Sequence, residues 1–227
     1  MAESGSAVRE IVVPGEPVSC DGRKAGFGMY RRQSGFFSST LGIRTTRGGF
    51  VDILPLGGKY IPFRGDEVIG TVSEINASSW LLDINSPYPA LLHASESPWK
   101  VDFNATGRYL TIGDNVIAEI LSVDDSKHVQ VTMRNQRLRK LNGGHVVDIP
   151  FGKVARVIGK NNSMIDMLRS VSGCRIIVGK NGRIWIDGEI ERVLTVAKAI
   201  RMIDRESQTF GLTNRVREFL ERNLDGR

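Results

Sequence analysis

The hydrophobic period of this chain changes once, and that change limits the folds open to it. As far as about residue 140, apolar and polar residues alternate in short runs, as strands require; beyond the turn at Gly143-Gly144, apolar residues recur at helical spacing. Neither an all-β nor an all-α plan satisfies both halves. The first stretch, residues 1–63, is punctuated by Pro14-Gly15, Asp21-Gly22, Gly26-Phe27-Gly28, Ser34-Gly35, Gly48-Gly49 and Gly57-Gly58. β-prone runs at residues 10–13, 36–44 and 50–54 lie between these signals, which predicts an all-β domain of tight hairpins. The Gly22 to Gly28 spacing resembles a phosphate-cradling loop. No strand-then-helix pattern flanks it and no Gly-Lys-Ser/Thr follows, so these glycines read as turn positions.

Residues 64–140 predict five short strands, at 67–75, 80–84, 90–93, 115–123 and 128–133. Gly65-Asp66 and Gly113-Asp114 introduce the first and fourth, and Asp124-Asp125-Ser126-Lys127 supplies the last turn. Five strands of this size suit an oligonucleotide-binding (OB-fold) Greek-key barrel. The basic bridge at residues 134–140 reads as a solvated linker. Residues 141–227 then give a strand at 145–149 ended by Pro150, a helical turn at 154–158, and a helix at 163–171 with Gly173 as its stop. Strands at 175–178 and 183–186 flank Gly179-Lys180-Asn181-Gly182, a strong hairpin signal. A helix at 189–204 follows with Ile190, Val193, Leu194, Ala197 and Ile200 on one stripe, then another at 213–224 through Val216, Phe219 and Leu220. The fold class is therefore multidomain α+β, in three parts: 1–63, 64–140 and 141–227.

Charge narrows the partners. The 31 basic and 25 acidic residues give a net charge of +6, unevenly placed: 8 against 5 in the first part, 8 against 10 in the second and 15 against 10 in the third. An electropositive third part suits a polyanion such as nucleic acid. No run approaches the roughly 18 apolar residues of a membrane span, and the polar stretch from Met1 to Glu10 lacks a signal-peptide core, so an intracellular protein is expected. Cys20 and Cys174 stand alone, and His93, His128 and His145 are scattered; no zinc ribbon, disulfide framework, metal or cofactor is expected. No Ser-His-Asp set, paired metal-binding carboxylates or P-loop can be nominated, so no catalytic residue is expected.

The order β, α, α, β, β, α resembles a type I KH domain, whose Gly-x-x-Gly loop clamps about four nucleotides. Gly159-Lys160-Asn161-Asn162 occupies that loop here. Asn162 in the second glycine position can turn left-handed, but its side chain crowds the phosphate path. Two readings stand: a weak RNA contact through Gly159, Lys160 and Asn161, with Lys153, Arg156 and Arg169 nearby, or a KH fold kept for packing. The middle part resembles the S1 class of OB-fold domain, through Pro89-Ala90-Leu91-Leu92-His93-Ala94-Ser95-Glu96 and Val131-Thr132-Met133-Arg134. Trp80 falls where that class places an exposed aromatic. A ring at Trp80, with His93 and Arg134, would stack on bases and neutralise phosphate, and Lys100, Arg108 and Lys127 would line the path. The competing reading puts Trp80 in the core and makes His93 a structural imidazole.

Taken with Val12-Val13-Pro14-Gly15-Glu16 and Lys59-Tyr60-Ile61-Pro62-Phe63-Arg64-Gly65-Asp66-Glu67-Val68-Ile69-Gly70, nearly the whole chain resembles the archaeal exosome's S1/KH RNA-binding cap subunits. That resemblance implies a non-catalytic, cytoplasmic protein that captures single-stranded RNA 3′ ends. Three copies would sit on a hexameric RNase PH-like ring, alone or mixed with a zinc-ribbon cap paralogue, with S1 barrels around the pore. It also implies that Gly179-Lys180-Asn181-Gly182 is structural. An S1/KH transcription or translation factor and a stand-alone nuclease remain as alternatives.

Overall fold

The computed structural model describes residues 10–33, 35–47, 49–124, 126–206, 209 and 211–224; the turn residues Ser34, Gly48 and Asp125 and the polar segment 1–9 lie outside them. The chain divides into two units between Gly58 and Lys59. In the first unit, strands β1 (Ile11–Val12), β2 (Lys24–Ala25), β3 (Met29–Arg32), β4 (Gly35–Ser38), β5 (Gly42–Arg47) and β6 (Phe50–Pro55) form a sheet in the order β1-β5-β6-β2 and a separate β3-β4 hairpin. The run expected as one strand at 36–44 breaks after Ser38. That residue's buried hydroxyl donates to the Thr40 carbonyl at 2.6 Å and bends the chain. The core here is small: Val12, Val18, Val51 and Ile53.

The second unit begins five residues earlier than the sequence suggested, because Tyr60 is buried in its core and its hydroxyl donates to Asp66 at 2.6 Å. Strands β7 (Glu67–Ile75), β8 (Ser79–Asp83), β9 (Ala90–His93), β10 (Asn115–Val123) and β11 (Val129–Thr132) close a five-stranded barrel in the cyclic order β7-β8-β9-β11-β10. Bulges between Val72 and Glu74 and between Ile120 and Ser122 supply the curl that closure demands. A sixth strand, β12 (Arg139–Leu141), pairs with the start of β10. The end of the segment read as a solvated linker thus joins the sheet, held there by buried Leu138 and Leu141.

The chain continues through β13 (His145–Asp148), α1 (Val154–Ile158), α2 (Ser163–Ser172), β14 (Arg175–Val178), β15 (Arg183–Asp187), α3 (Ile190–Arg205) and α4 (Leu212–Leu224), with an antiparallel sheet ordered β13-β15-β14. This is the type I KH order with one added helix. Helix α3 turns Val193, Val196, Ala197, Ala199, Ile200 and Ile203 inward. Ile190 and Leu194, expected on the same stripe, are exposed, because α3 meets both β15 and α4 and its buried face is rotated away from them. Among the described residues no helix is long and apolar enough to cross a membrane.

Barrel and KH module share one unit because the β14-β15 hairpin plugs into the barrel. Asn181 is fully buried; its Nδ2 donates to the carbonyls of Ile69 and Ile84 at 2.8 Å each, and its Oδ1 accepts from the Ile69 N–H at 3.3 Å. Arg183 forms an ion pair with Asp83 at 2.6 Å, and Lys180 with Asp66 at 2.8 Å. A Cβ at Gly179 would come within 2.9 Å of the Ile69 nitrogen, so only glycine lets the two backbones approach.

Candidate nucleic-acid interface

Strand β8 runs between two differently equipped regions. Its last residue, Asp83, is held by Arg183, whereas its first, Ser79, lies opposite His93 at the end of β9. Beside His93 a shallow groove of about 460 Å³ is lined by Ala77, Ser78, His93, Ser95, Trp99, Lys100 and Phe103. The Ser95 N–H donates to His93 Nδ1 at 3.2 Å. That bond needs the nitrogen's lone pair, so the neutral ring carries its proton on Nε2, as a donor for a ligand. Arg134 approaches from β11: its Nε donates to the Ser95 carbonyl at 2.8 Å while the side chain stays 64% exposed.

The far wall is a loop, residues 97–110, pinned at both flanks. Thr106 Oγ1 donates to the Asn76 carbonyl at 2.7 Å and the Asn104 N–H to the Ala77 carbonyl at 2.9 Å. Trp99 stacks on Tyr109 with ring centroids 5.6 Å apart, and the Tyr109 hydroxyl donates to the Lys100 carbonyl at 2.8 Å. This fixed scaffold leaves the Phe103 side chain 77% exposed, in the groove that Lys100 also lines. A flat ring, a cation and an imidazole donor around one groove can stack a base and neutralise its phosphate.

The structure thus gathers His93, Lys100 and Arg134, and corrects other expectations. Trp80 is 0% exposed: it alternates in phase with Leu82 and Ile84, packs opposite Leu92 and Ile75, and cannot offer its ring to a base. Phe103, which no periodic pattern singles out, supplies the exposed aromatic instead. Arg108 is exposed in the pinned loop but outside the groove lining. Lys127 takes φ 66° in the turn before β11, at the opposite end of that strand from Arg134.

In the KH module, Lys153 is committed to Asp204, donating to its carboxylate at 2.6 Å and its carbonyl at 2.8 Å. Arg156 donates to the Thr209 carbonyl at 3.2 Å, and Arg169 to the Ile176 carbonyl at 2.6 Å. Asn161 and Asn162 are both left-handed, at φ 51° and 63°, behind Gly159 at 77°, so asparagine does meet the conformational demand of the second loop glycine. Lys160 and Asn161 are exposed.

Three of the barrel's acids are paired elsewhere, Asp66 and Asp83 with the KH cations and Asp114 with Lys140, whereas Asp102 lines the groove beside Lys100 and Phe103 in sequence. Burial opposes ionisation of Asp114, but hydrogen bonds from Lys140 and from the Thr111 N–H and hydroxyl outweigh it and hold the carboxyl below the usual range. At Asp83 burial is likewise outweighed, by Arg183 and the Asn85 N–H. A carboxyl with a depressed folded pKa contributes stability above its unfolded value, near pH 4, and loses it as pH falls through the folded one. The urea midpoint should be flat above about pH 4 and fall below it. Asp114→Asn should lower the midpoint at neutral pH and reduce that acid slope; an unchanged slope would remove Asp114 as a contributor.

Known proteins carry the same elements. A KH domain family matches residues 144–192. The exosome complex component Rrp4 of Thermoplasma acidophilum is 45% identical over 215 residues, covering 94% of this chain and 91% of that protein. The chain belongs to the Rrp4 family. Rrp4 of Picrophilus torridus is 40% identical over 219 residues, covering 96% of this chain and 95% of its own length; that of Methanosarcina mazei is 42% identical over 213 residues, covering 94% and 82%. A crystal structure assigned as an exosome complex RNA-binding protein superposes with a TM-score of 0.69 at 32% identity, over 75% of this chain and 99% of that one. Kinship to Rrp4 therefore extends across the N-terminal sheet, the barrel and the KH module.

Proposed function

We propose that this chain is a non-catalytic, RNA-binding cap subunit of an exosome, and that the groove between His93 and Phe103 receives unpaired RNA. The observation that carries this reading is the juxtaposition of Phe103, Lys100, His93 and Arg134 on a barrel whose relatives, along nearly the whole chain, are Rrp4 proteins. Three copies sit on a hexameric RNase PH-like ring in the cytoplasm, alone or mixed with a zinc-ribbon paralogue, and present three such grooves around the pore. Each contact is weak; threefold presentation raises capture of a 3′ end without the tight hold that would stop its passage inward. The exposed KH loop at Gly159, Lys160 and Asn161 adds a second weak backbone contact.

Stacking on an aromatic is worth about 1–3 kcal/mol per base. A His93→Ala/Phe103→Ala variant should therefore assemble normally in a reconstituted complex yet bind single-stranded RNA about tenfold or more weaker, by the same stacking energy. Normal assembly with unchanged affinity would reject the groove. Mass measurement of the native assembly tests the stoichiometry; copurification with a polymerase or ribosome instead of a nuclease ring, or RNA cleavage by the isolated chain, would replace the reading altogether.

A further inference from the structure

The segment between β11 and β12 is too long for the gap it spans. Thr132 pairs with Glu119 of β10 and Arg139 pairs with Ile117, two residues along the same strand, a separation of about 7 Å. The six intervening residues are pushed out as a compact loop. They are tied down: the Met133 N–H donates to the Glu96 carbonyl at 2.7 Å, the Leu138 N–H to the Asn135 carbonyl at 2.9 Å, and the Arg137 N–H to Asn135 Oδ1 at 3.3 Å. Met133 and Leu138 are buried beneath it. Arg134 and Arg137 are exposed on its surface, and Arg139, the first residue of β12, is exposed at its end. Arg134 reaches an acid only at 3.9 Å, to Glu96, and no ion pair engages Arg137 or Arg139 among the described residues. Three like charges within six residues of a tied-down segment repel one another more than they would on a free linker that lets them spread.

We propose that this loop is a phosphate-binding extension of the groove, in which Arg137 and Arg139 continue the path that Arg134 begins and hold the backbone of single-stranded RNA beyond the nucleotide at His93. The inference rests on the groove reading but makes a separate claim: contact here is electrostatic and indifferent to base. It therefore shows in the salt dependence and length dependence of binding. Each phosphate neutralised on a single strand contributes about 0.7 to the slope of log affinity against log salt.

The test uses the full chain, with fluorescein-labelled RNA of about 4 and about 16 nucleotides, the range of sites on one OB fold. For the longer RNA, Arg137→Gln/Arg139→Gln should flatten the slope by about 1.4 and weaken binding about 20-fold at 0.1 M salt. The short RNA and the melting temperature should not change. His93→Ala/Phe103→Ala should weaken both RNAs while keeping the slope. If the groove variant behaves so and the arginine variant keeps the wild-type slope, the loop assignment fails and the groove stands. If neither variant weakens either RNA, the groove reading fails first. Loss of ring assembly in the arginine variant, with the free chain's slope intact, would make the loop a protein contact and overturn the proposal.

Discussion

Asn181→Ala is expected to remove about 4 kcal/mol from the unit of barrel and KH module, because it leaves two carbonyls and an amide buried without partners at about 1–3 kcal/mol each. For a unit of this size that lowers the Tm by about 10 °C. The effect follows from where the hydrogen bonds go: Ile69 O, Ile84 O and Ile69 N belong to the barrel, and the side chain that serves them is fully enclosed. The contrast is Lys180→Ala. Its ion pair to Asp66 has the same neighbours, but the lysine is 59% exposed, so under about 1 kcal/mol is at stake. Differential scanning calorimetry of the full chain decides. Equal small losses in both variants would mean that the plug adds contacts without coupling the modules.

Trp80→Ala is expected to lower stability by about 3–5 kcal/mol, the cost of emptying a large aromatic from a closed barrel. The folded fraction should bind RNA as the wild type does, which separates a core role from a base-stacking one. Trp80→Phe should cost much less, under about 1.5 kcal/mol, as the nearer match in volume. The buried indole N–H finds no hydrogen-bond partner among the described residues, so removing it returns part of the loss. A specific loss of RNA affinity in folded Trp80→Ala would restore this ring to the interface.

The barrel was legible where alternation is uninterrupted: the strands at Glu67–Ile75, Ala90–His93 and Asn115–Val123 lie where the pattern puts them. Alternation also held the answer for Trp80. It shares parity with Leu82 and Ile84, and one face of a closed barrel strand has a single destination, so family placement of an exposed aromatic there conflicts with the strand's own pattern. Phe103 was hidden because it stands in an irregular loop, where no period separates inside from outside. Lys153 looked available because its partner, Asp204, comes from the end of α3, 51 residues on. Leu138 and Leu141, one apolar residue inside a basic run and one just after it, were the mark of β12. The KH hairpin was legible as a turn, but its target was not, since nothing in Gly179-Lys180-Asn181-Gly182 says which backbone it will meet.

The hairpin also sets an order of events. The amides that Asn181 serves belong to residues made more than ninety positions earlier, so on the ribosome a nascent barrel holds the polar edge at Ile69 and Ile84 open to water until the plug emerges. Synthesis at about 5–20 residues per second makes that interval several seconds. The barrel's last closure is thus timed by translation of the module that follows it, and slowing the ribosome after β12 prolongs the stage at which that edge can pair with another chain.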